Sequence, residues 1–182
     1  MDAIMLLTAD HNRFRGLFTK FRAGAETDVA RKILKELDVH TQIEEKIFYP
    51  GIREADRELG EQIAEGIEEH HAVDVLAGEV EAMPPGGEEW TAKMTVIIEL
   101  VEHHAEEEEQ EMFPGVKKAL DADARAAMGQ RMEALKARLG APTAPDKAAL
   151  TTEQLKKLAQ EQEIPGRSSM DRDELAATVA PG

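Results

Sequence analysis

Two copies of one short motif carry the side chains of this chain that are best suited to bind a metal ion. His40 and Glu44, with a proline six residues after the glutamate, return sixty-four positions later as His104 and Glu108, again with a proline six residues on. A histidine and a glutamate four residues apart on a helix point to the same side, about 6 Å apart along its axis. One metal ion can therefore be bound between the imidazole and the carboxylate. The two copies predict two metal-binding helices.

Both motifs lie on helix faces that are otherwise apolar. Apolar residues recur around them at spacings of three and four, which is typical of one buried helix face. The two stripes are Ile33, Leu37, His40, Glu44 and Ile47, and Met94, Ile97, Val101, His104, Glu108 and Met112. An unpaired carboxylate or imidazole in such a position costs several kcal/mol. Each therefore needs a partner, and a metal ion suits both types of side chain.

Two further histidines, His11 and His70, interrupt apolar stripes of the same kind. The chain thus repeats a pair of helices, with a histidine on the first helix and the His-x-x-x-Glu motif on the second. This gives four inward histidines and two inward glutamates, more ligands than one tetrahedral zinc site uses, and favours two ions bridged by carboxylates. His71 and His103 are each one position off the stripe, and we expect them behind the ligands or in solvent.

The order of these residues over four helices resembles the hemerythrin-like HHE cation-binding family, across residues 1–139. The resemblance implies an all-α fold, an up-down-up-down four-helix bundle. It also implies a non-haem centre of two iron ions that are carboxylate- or oxo-bridged. Imidazole and carboxylate ligands suit zinc and manganese as well, but the resemblance favours these less. Matched by position, the resemblance implies that the metal ligands are His11, His40, Glu44, His70, His104 and Glu108.

The chain departs from the oxygen-carrying hemerythrins at Asp74. Those proteins have a further histidine at that position, and their last carboxylate is an aspartate five residues after its histidine, whereas here it is a glutamate four residues on. The change favours sensing of O2 or iron, or handling of peroxide, over reversible O2 carriage. Asp74, Glu45 or His71 could supply a further ligand, and the sequence does not choose among them. Tyr49 or Trp90 could tune a metal pocket, but core or surface packing is the favoured role of both.

Three functions stay open at this point. The first is a metal-binding protein that senses or stores O2 or iron. The second is an enzyme whose di-iron centre turns over peroxide or nitric oxide. The third is a scaffold in which the bundle binds a partner and the metal is structural. No catalytic residue beyond the metal ligands is indicated, and the motifs of zinc proteases, P-loop enzymes and dinucleotide-binding enzymes do not occur in the sequence.

Composition narrows the possible partners. The 182 residues carry a formal net charge of −15, which disfavours binding to the phosphate backbone of nucleic acids. The chain has no cysteine, so it forms neither disulfide bonds nor thiolate–metal bonds. No secretion signal and no apolar run of membrane-spanning length are recognisable. We expect a cytoplasmic protein without a membrane partner, whose ligands are O2, peroxide or another small diatomic molecule. Nothing in the sequence indicates the oligomeric state.

The helical segments divide the chain into a bundle, a linker and a tail. Residues 1–139 comprise the four bundle helices and an extra C-terminal helix, with helix ends or bends expected at Pro50 and Pro114. Residues 140–149 contain glycine and proline and are predicted to be a linker. Residues 150–182 are predicted to form a small helical hairpin that resembles Rho N-terminal and SAP-like helix-loop-helix modules. Such modules often accompany nucleic acid, but acidic residues outnumber basic ones here, and a hairpin without nucleic acid is favoured.

Overall fold

The computed structural model describes residues 1–140 and 152–161, and from the remainder only Ile164, Arg167, Ser168, Met170, Asp171, Leu175 and Thr178. All regular elements in this part of the chain are helical, which confirms the predicted all-α class. The α-helices are α1 (Ala3–Gly24), α2 (Thr27–Ile43), α3 (Tyr49–Ala55), α4 (Gly60–Ala82), α5 (Glu88–Glu107), α6 (Phe113–Ala119), α7 (Ala122–Arg138) and α8 (Thr152–Glu161). None of these described helices is both long enough and apolar enough to cross a lipid bilayer.

A π-helical turn joins α2 to α3, and a second one joins α5 to α6. The turns span Glu44–Phe48 and Glu108–Met112, so each begins at the glutamate of a His-x-x-x-Glu motif. The prolines expected to end or bend these helices, Pro50 and Pro114, come in the first turn of the next helix. Proline is favoured in the first turn of an α-helix, and the π turn before each proline departs from the regular α-helical bonding that a proline interrupts. The chain therefore stays helical beyond both prolines, and the expected irregularity is a π turn just before each of them.

The π turns change which side chains face the interior. An α-helix turns by about 100° per residue, so a residue five places after Glu44 would lie about 140° round the helix from it. The extra residue in the π turn reduces this angle and brings Tyr49 toward the face of Glu44. Phe113 has the same relation to Glu108. Both aromatic side chains are buried as a result.

Two pairs of helices form the bundle. Helix α1 packs along α2, and α4 packs along α5, with short connections at residues 25–26 and 83–87. Ala25 ends α1 in a left-handed conformation with φ of 48°. Helix α7 lies against α1 and also contacts α2, as the extra helix predicted after the bundle. The four-helix bundle that the family resemblance implied is thus confirmed.

Two apolar clusters fill the bundle, with a layer of buried polar side chains between them. Along α1, Leu7 belongs to one cluster and Phe14 to the other, and His11 lies between them. The first cluster contains the aromatic residues Phe48, Tyr49 and Phe113, and the second contains Phe14, Phe18, Phe21 and Trp90. Because both sides of the layer are apolar, its polar atoms depend on one another or on a bound ion.

Helix α7 is anchored to the start of α1. A Cβ atom at Gly129 would come within 2.1 Å of the carbonyl oxygen of Met1, so only glycine permits this contact. Arg125 Nε donates to Asp2 Oδ2 at 2.8 Å. Asp2 in turn caps α1 by accepting from the backbone N–H of Ile4. The extra helix and the N-terminus therefore stabilise each other.

Beyond the bundle, the tail has a small apolar cluster of its own. Leu155 and Ala159 on α8 are buried together with Leu175. The predicted linker at residues 140–149 lies outside the described residues, apart from Gly140. The second helix of the predicted tail hairpin likewise lies almost wholly outside them. The division of the chain into bundle, linker and tail therefore stays a prediction.

Candidate metal centre

Six buried polar side chains form a layer across the middle of the bundle. They are His11 from α1, His40 from α2, His70 from α4, His104 from α5, and Glu44 and Glu108 from the two π turns. None of them exposes more than 6% of its surface. All six residues that the sequence nominates as ligands thus lie together in this polar layer.

The carboxylate of Glu44 divides its oxygens between two histidines. Glu44 Oε1 lies 3.2 Å from His40 Nε2, and Glu44 Oε2 lies 3.3 Å from His70 Nε2. His40 comes from the first helical pair and His70 from the second. Glu44 therefore connects the two halves of the polar layer.

Glu108 divides its oxygens in the same way. Glu108 Oε2 lies 3.4 Å from His11 Nε2, and Glu108 Oε1 lies 3.9 Å from His104 Nε2. Each glutamate therefore has one oxygen near a histidine of the first helical pair and the other oxygen near a histidine of the second pair. A carboxylate placed in this way can bridge two metal ions.

The inward atoms fall into two groups, in each of which the possible ligand atoms lie within 4.8 Å of one another. The members are His11, His40, Glu44 and Glu108, called the His11–His40 group, and Glu44, His70 and His104, called the His70–His104 group. Each group can hold one ion, and the shared glutamate keeps the two positions adjacent.

Four of the inward atoms have no hydrogen-bond partner in the described part of the chain. They are His11 Nε2, both carboxylate oxygens of Glu44, and Glu108 Oε2. A buried polar atom without a partner costs about 1–3 kcal/mol, and native proteins rarely leave several side by side. Their convergence from different helices fits the binding of metal ions at this layer.

In the His11–His40 group, the outward ring nitrogens face carboxylates. His11 Nδ1 lies 2.8 Å from Glu109 Oε1, and His40 Nδ1 lies 3.4 Å from Asp10 Oδ2. An Nδ1–H that donates to a carboxylate leaves the lone pair of the ring on Nε2, which points into the layer. These contacts favour the tautomer that a metal ligand needs.

The His70–His104 group has the same arrangement. His70 Nδ1 lies 3.0 Å from Glu45 Oε1, and His104 Nδ1 lies 2.7 Å from Glu69 Oε2. All four of these acids are sequence neighbours of the layer, either just before a histidine or just after a glutamate. The acid before a histidine contacts the other histidine of its own helical pair, and the acid after a glutamate contacts the opposite pair. The second half of the centre therefore repeats the first.

Cations break this symmetry. Lys136 Nζ donates to Asp10 Oδ2 at 2.6 Å, and Arg15 donates to the two oxygens of Glu109 at 3.1 and 3.0 Å. Among the described residues, no lysine or arginine lies within ion-pair distance of the carboxylates behind the His70–His104 group. That group consequently has the less compensated negative charge. No local sequence pattern predicts either cation at these positions.

Tyr49 adds a hydroxyl to the His70–His104 group. Tyr49 Oη donates to Glu108 Oε1 at 3.0 Å and lies 3.4 Å from His104 Nε2. A Cβ at Gly66 would come within 2.9 Å of this hydroxyl, so the glycine makes room for it. Burial, and next the charges of the layer glutamates, raise the pKa of Tyr49 well above its usual value, which keeps it a neutral donor. This contact goes beyond the packing role that the sequence favours for Tyr49. Phe113, at the equivalent position of the repeat, has no hydroxyl.

Without a metal ion, the histidines and carboxylates of the layer compensate each other's charge. Burial lowers the pKa of His40, but Glu44 and Asp10 outweigh burial and raise it to about 10. Burial raises the pKa of Glu44, but His40 and His70 outweigh burial and hold it well below its usual value. Burial also opposes protonation of His11 and His70, whose carboxylate partners nevertheless raise their pKa. A metal ion must therefore displace protons from the imidazoles.

The further ligands that the sequence left open lie outside the polar layer. Asp74 and His71 are exposed. Glu45 contacts the outward nitrogen of His70 and none of the inward atoms. Trp90 packs beside Phe21 in the apolar cluster at the far end of the bundle, as expected. None of these side chains belongs to either ligand group.

Comparison with known proteins gives a family match over most of the bundle. Residues 2–116 match the model of the hemerythrin HHE cation-binding domain. A DNA nickase of Nostoc sp. is 22% identical over 138 residues, which are 74% of this chain but only 39% of that protein. Uncharacterized proteins of Mycobacterium bovis and Mycobacterium tuberculosis are 29% identical over 119 residues, 63% of this chain and 71% of theirs. No solved structure matches the chain.

Proposed function

Since the chain belongs to the hemerythrin HHE cation-binding domain family, we propose that the polar layer binds two iron ions and that the loaded centre senses or reacts with O2, peroxide or iron. The observation that carries the proposal is the division of Glu44 and Glu108 between two pairs of histidines. Two ions can share both carboxylates in this arrangement. The proposed ligands are His11, His40, Glu44, His70, His104 and Glu108.

The donor atoms suit iron. Imidazole nitrogens and carboxylate oxygens bind iron, manganese and zinc, but the six side chains of the layer exceed the four of a tetrahedral zinc site. Bound iron supplies redox chemistry toward O2 and peroxide that the side chains themselves lack. Zinc in its place would lack this reactivity, because Zn(II) has no redox chemistry.

The chain itself orients the ligands and limits the access of water. The acids on Nδ1 hold each imidazole with Nε2 inward. Phe113 stacks on His11 with ring centroids 6.0 Å apart, and Tyr49 stacks on His70 at 5.7 Å. These two buried rings cover the layer on the side of α3 and α6. The hydroxyl of Tyr49 is a hydrogen-bond donor within the layer.

The ligand set disfavours reversible O2 carriage. Four histidines and two glutamates would give a ligand set with a higher share of carboxylate than that of the oxygen-carrying hemerythrins, because Asp74 stands exposed where those proteins have their further histidine. Carboxylate oxygens are hard ligands and favour the ferric state. We therefore expect O2 to oxidise the ferrous protein, without release of O2 under vacuum.

Two adjacent histidines provide a matched test of the ligand assignment. His70 points Nε2 into the layer, whereas His71 is exposed. After anaerobic loading with Fe(II) and removal of loosely bound metal, elemental analysis should find about two ions per chain in the wild type and in His71→Ala. His70→Ala should retain far less. Full iron content in His70→Ala contradicts the assignment.

Addition of oxidant to the loaded protein distinguishes the three classes of function. A stoichiometric change in the absorption spectrum with O2 or peroxide supports a sensing or reactive centre. Sustained turnover of peroxide or nitric oxide, well above that of free iron, supports an enzyme. Loss of helicity on chelation without any response to oxidants supports a structural metal in a partner-binding scaffold.

A further inference from the structure

A narrow opening between α4 and α5 leads from the surface toward the polar layer. Its volume is about 40 Å³, which is space for one or two water molecules. The buried residues His104 and Glu108 lie at its inner end. The carboxylates that line the rest of it are Glu65, Glu69, Glu107 and Glu111. The opening therefore joins solvent to the His70–His104 group through an acidic passage.

Two of the lining carboxylates, Glu69 and Glu107, also belong to a cluster with His103 at the surface. One possible ligand atom from each residue lies within 4.8 Å of the other two. His103 Nε2 lies 3.3 Å from Glu107 Oε1, which is four residues on along α5. Glu69 comes from α4, so the cluster spans both walls of the opening. An imidazole and two carboxylates at this spacing can bind a divalent cation that keeps part of its water.

Two contacts tie this cluster to the polar layer. Glu69 Oε2 accepts a hydrogen bond from His104 Nδ1 at 2.7 Å, so one side chain belongs to the cluster and also supports an inner histidine. The opening ends at Glu108, which is only 2% exposed. Its Oε1 lies 3.9 Å from His104 Nε2, and its Oε2, on the side of His11, has no hydrogen-bond partner among the described residues. A cation that passes along the opening thus meets carboxylates from its outer to its inner end.

We infer that Glu69, His103 and Glu107 form an outer cation site that takes up a divalent metal ion from solvent and passes it to the polar layer. The inference rests on the proposed function, because the outer site has this role only if the layer binds metal ions. His103 and Glu107 thus take part in loading the polar layer with metal ions but are not ligands of the ions bound there.

Charge and hydration both favour this route. The lining of the opening includes no lysine or arginine, and clefts lined by one sign of charge raise the local concentration of counter-ions and their rate of association. A cation must lose water before it enters so small a space, and the three outer ligands replace part of its hydration shell. Exposed ligands hold the ion weakly, so it can move on.

A double variant and a matched control test the inference. His103→Asn with Glu107→Gln removes two outer ligands and spares Glu69, which supports His104. Glu106→Gln removes the same single negative charge from an exposed position on α5 outside the opening. Cobalt(II) added to the metal-free full-length chain serves as the probe. Absorption titration gives the number of ions bound, and stopped-flow mixing gives the rate at which the centre fills.

The wild type and Glu106→Gln should bind two Co(II) ions tightly and a third weakly. The double variant should keep both tight ions, lose the weak one, and load roughly tenfold more slowly. If the double variant keeps the third ion or loads at the wild-type rate, while two tight ions are present, the inference alone is overturned. If the wild type does not bind two tight ions, the proposed function is overturned as well.

Discussion

Tyr49 and Phe113 stand at equivalent positions in the two halves of the repeat, and each stacks its ring on a buried histidine. The ring centroids of Tyr49 and His70 are 5.7 Å apart with an interplanar angle of 21°, and those of Phe113 and His11 are 6.0 Å apart at 6°. The two rings differ by one hydroxyl, which donates to Glu108 Oε1. The two halves of the polar layer therefore differ in hydrogen bonding, although both are built from the same motif.

Tyr49→Phe should lower the reduction potential of the loaded centre. Without the hydrogen bond from the hydroxyl, Glu108 becomes a stronger donor to metal, which stabilises the ferric form. The ring itself should still fit, because Phe113 occupies the equivalent position. We expect unchanged iron content and a loss of about 1 kcal/mol in the unfolding free energy of the metal-free protein. A potentiometric titration followed by absorption measures the potential, and an unchanged value contradicts a role for the hydroxyl.

Helical periodicity was enough to predict the polar layer but not its surroundings. All six layer residues lie on stripes with spacings of three and four, so local sequence decides that they face inward. Counting at the α-helical period places Tyr49 about 140° from Glu44, and the π turn that corrects this angle was not foreseen. Lys136 lies 126 positions from Asp10, and no local pattern links residues so far apart. The helices were therefore predictable, whereas the asymmetry of the centre required their packing.

Lys136→Met should destabilise the metal-free bundle by about 3 kcal/mol, because it leaves the buried Asp10 carboxylate with only the His40 imidazole, at 3.4 Å, to balance its charge. Burial raises the pKa of Asp10, but His40 and Lys136 outweigh burial and lower it. Urea unfolding in the presence of a chelator measures the effect. Arg138→Met, an exposed change on the same helix, should stay within about 0.5 kcal/mol of the wild type. Equal stability of the two variants contradicts a structural role for the Lys136–Asp10 pair.

Metal binding should release protons at neutral pH. The pKa of His40 rises from 6.5 to about 10 in the metal-free protein, so its imidazole is charged at pH 7.5 and must lose a proton to bind an ion. Affinity should therefore increase as the pH rises. Calorimetric titration with Zn(II) in two buffers of different ionisation enthalpy gives the number of protons released. Identical heats in both buffers contradict the prediction.

The same shift predicts how the stability of the metal-free protein depends on pH. Because the folded-state pKa of His40 lies above its ordinary value, the charged imidazole stabilises the fold fully below pH 6.5. This contribution is lost as the pH rises from 6.5 to about 10. His40→Gln should therefore differ most from the wild type at low pH and least near pH 10. A difference in unfolding free energy that stays constant over this range argues against the raised pKa.

We propose that residues 1–139 fold independently of the tail at residues 150–182. All six proposed ligands, their outward carboxylates and both supporting cations precede residue 140. Deletion of residues 141–182 should therefore leave the number of bound iron ions and the helicity of the bundle unchanged. Loss of iron would show that the tail supports the centre. Binding of DNA or RNA by the full-length chain at physiological salt, abolished by the deletion, would instead give the tail a nucleic-acid role.

Any shortened version of this domain must retain helix α7. The match to the family model stops at residue 116, yet Gly129 lies against the carbonyl oxygen of Met1, and Lys136 pairs with Asp10 behind His40. A fragment that ends at residue 116 would keep every proposed ligand. It would lose Lys136, whose charge supports Asp10 behind His40. The smallest portable form of the proposed metal centre therefore ends after Arg138, beyond the end of the match to the family model.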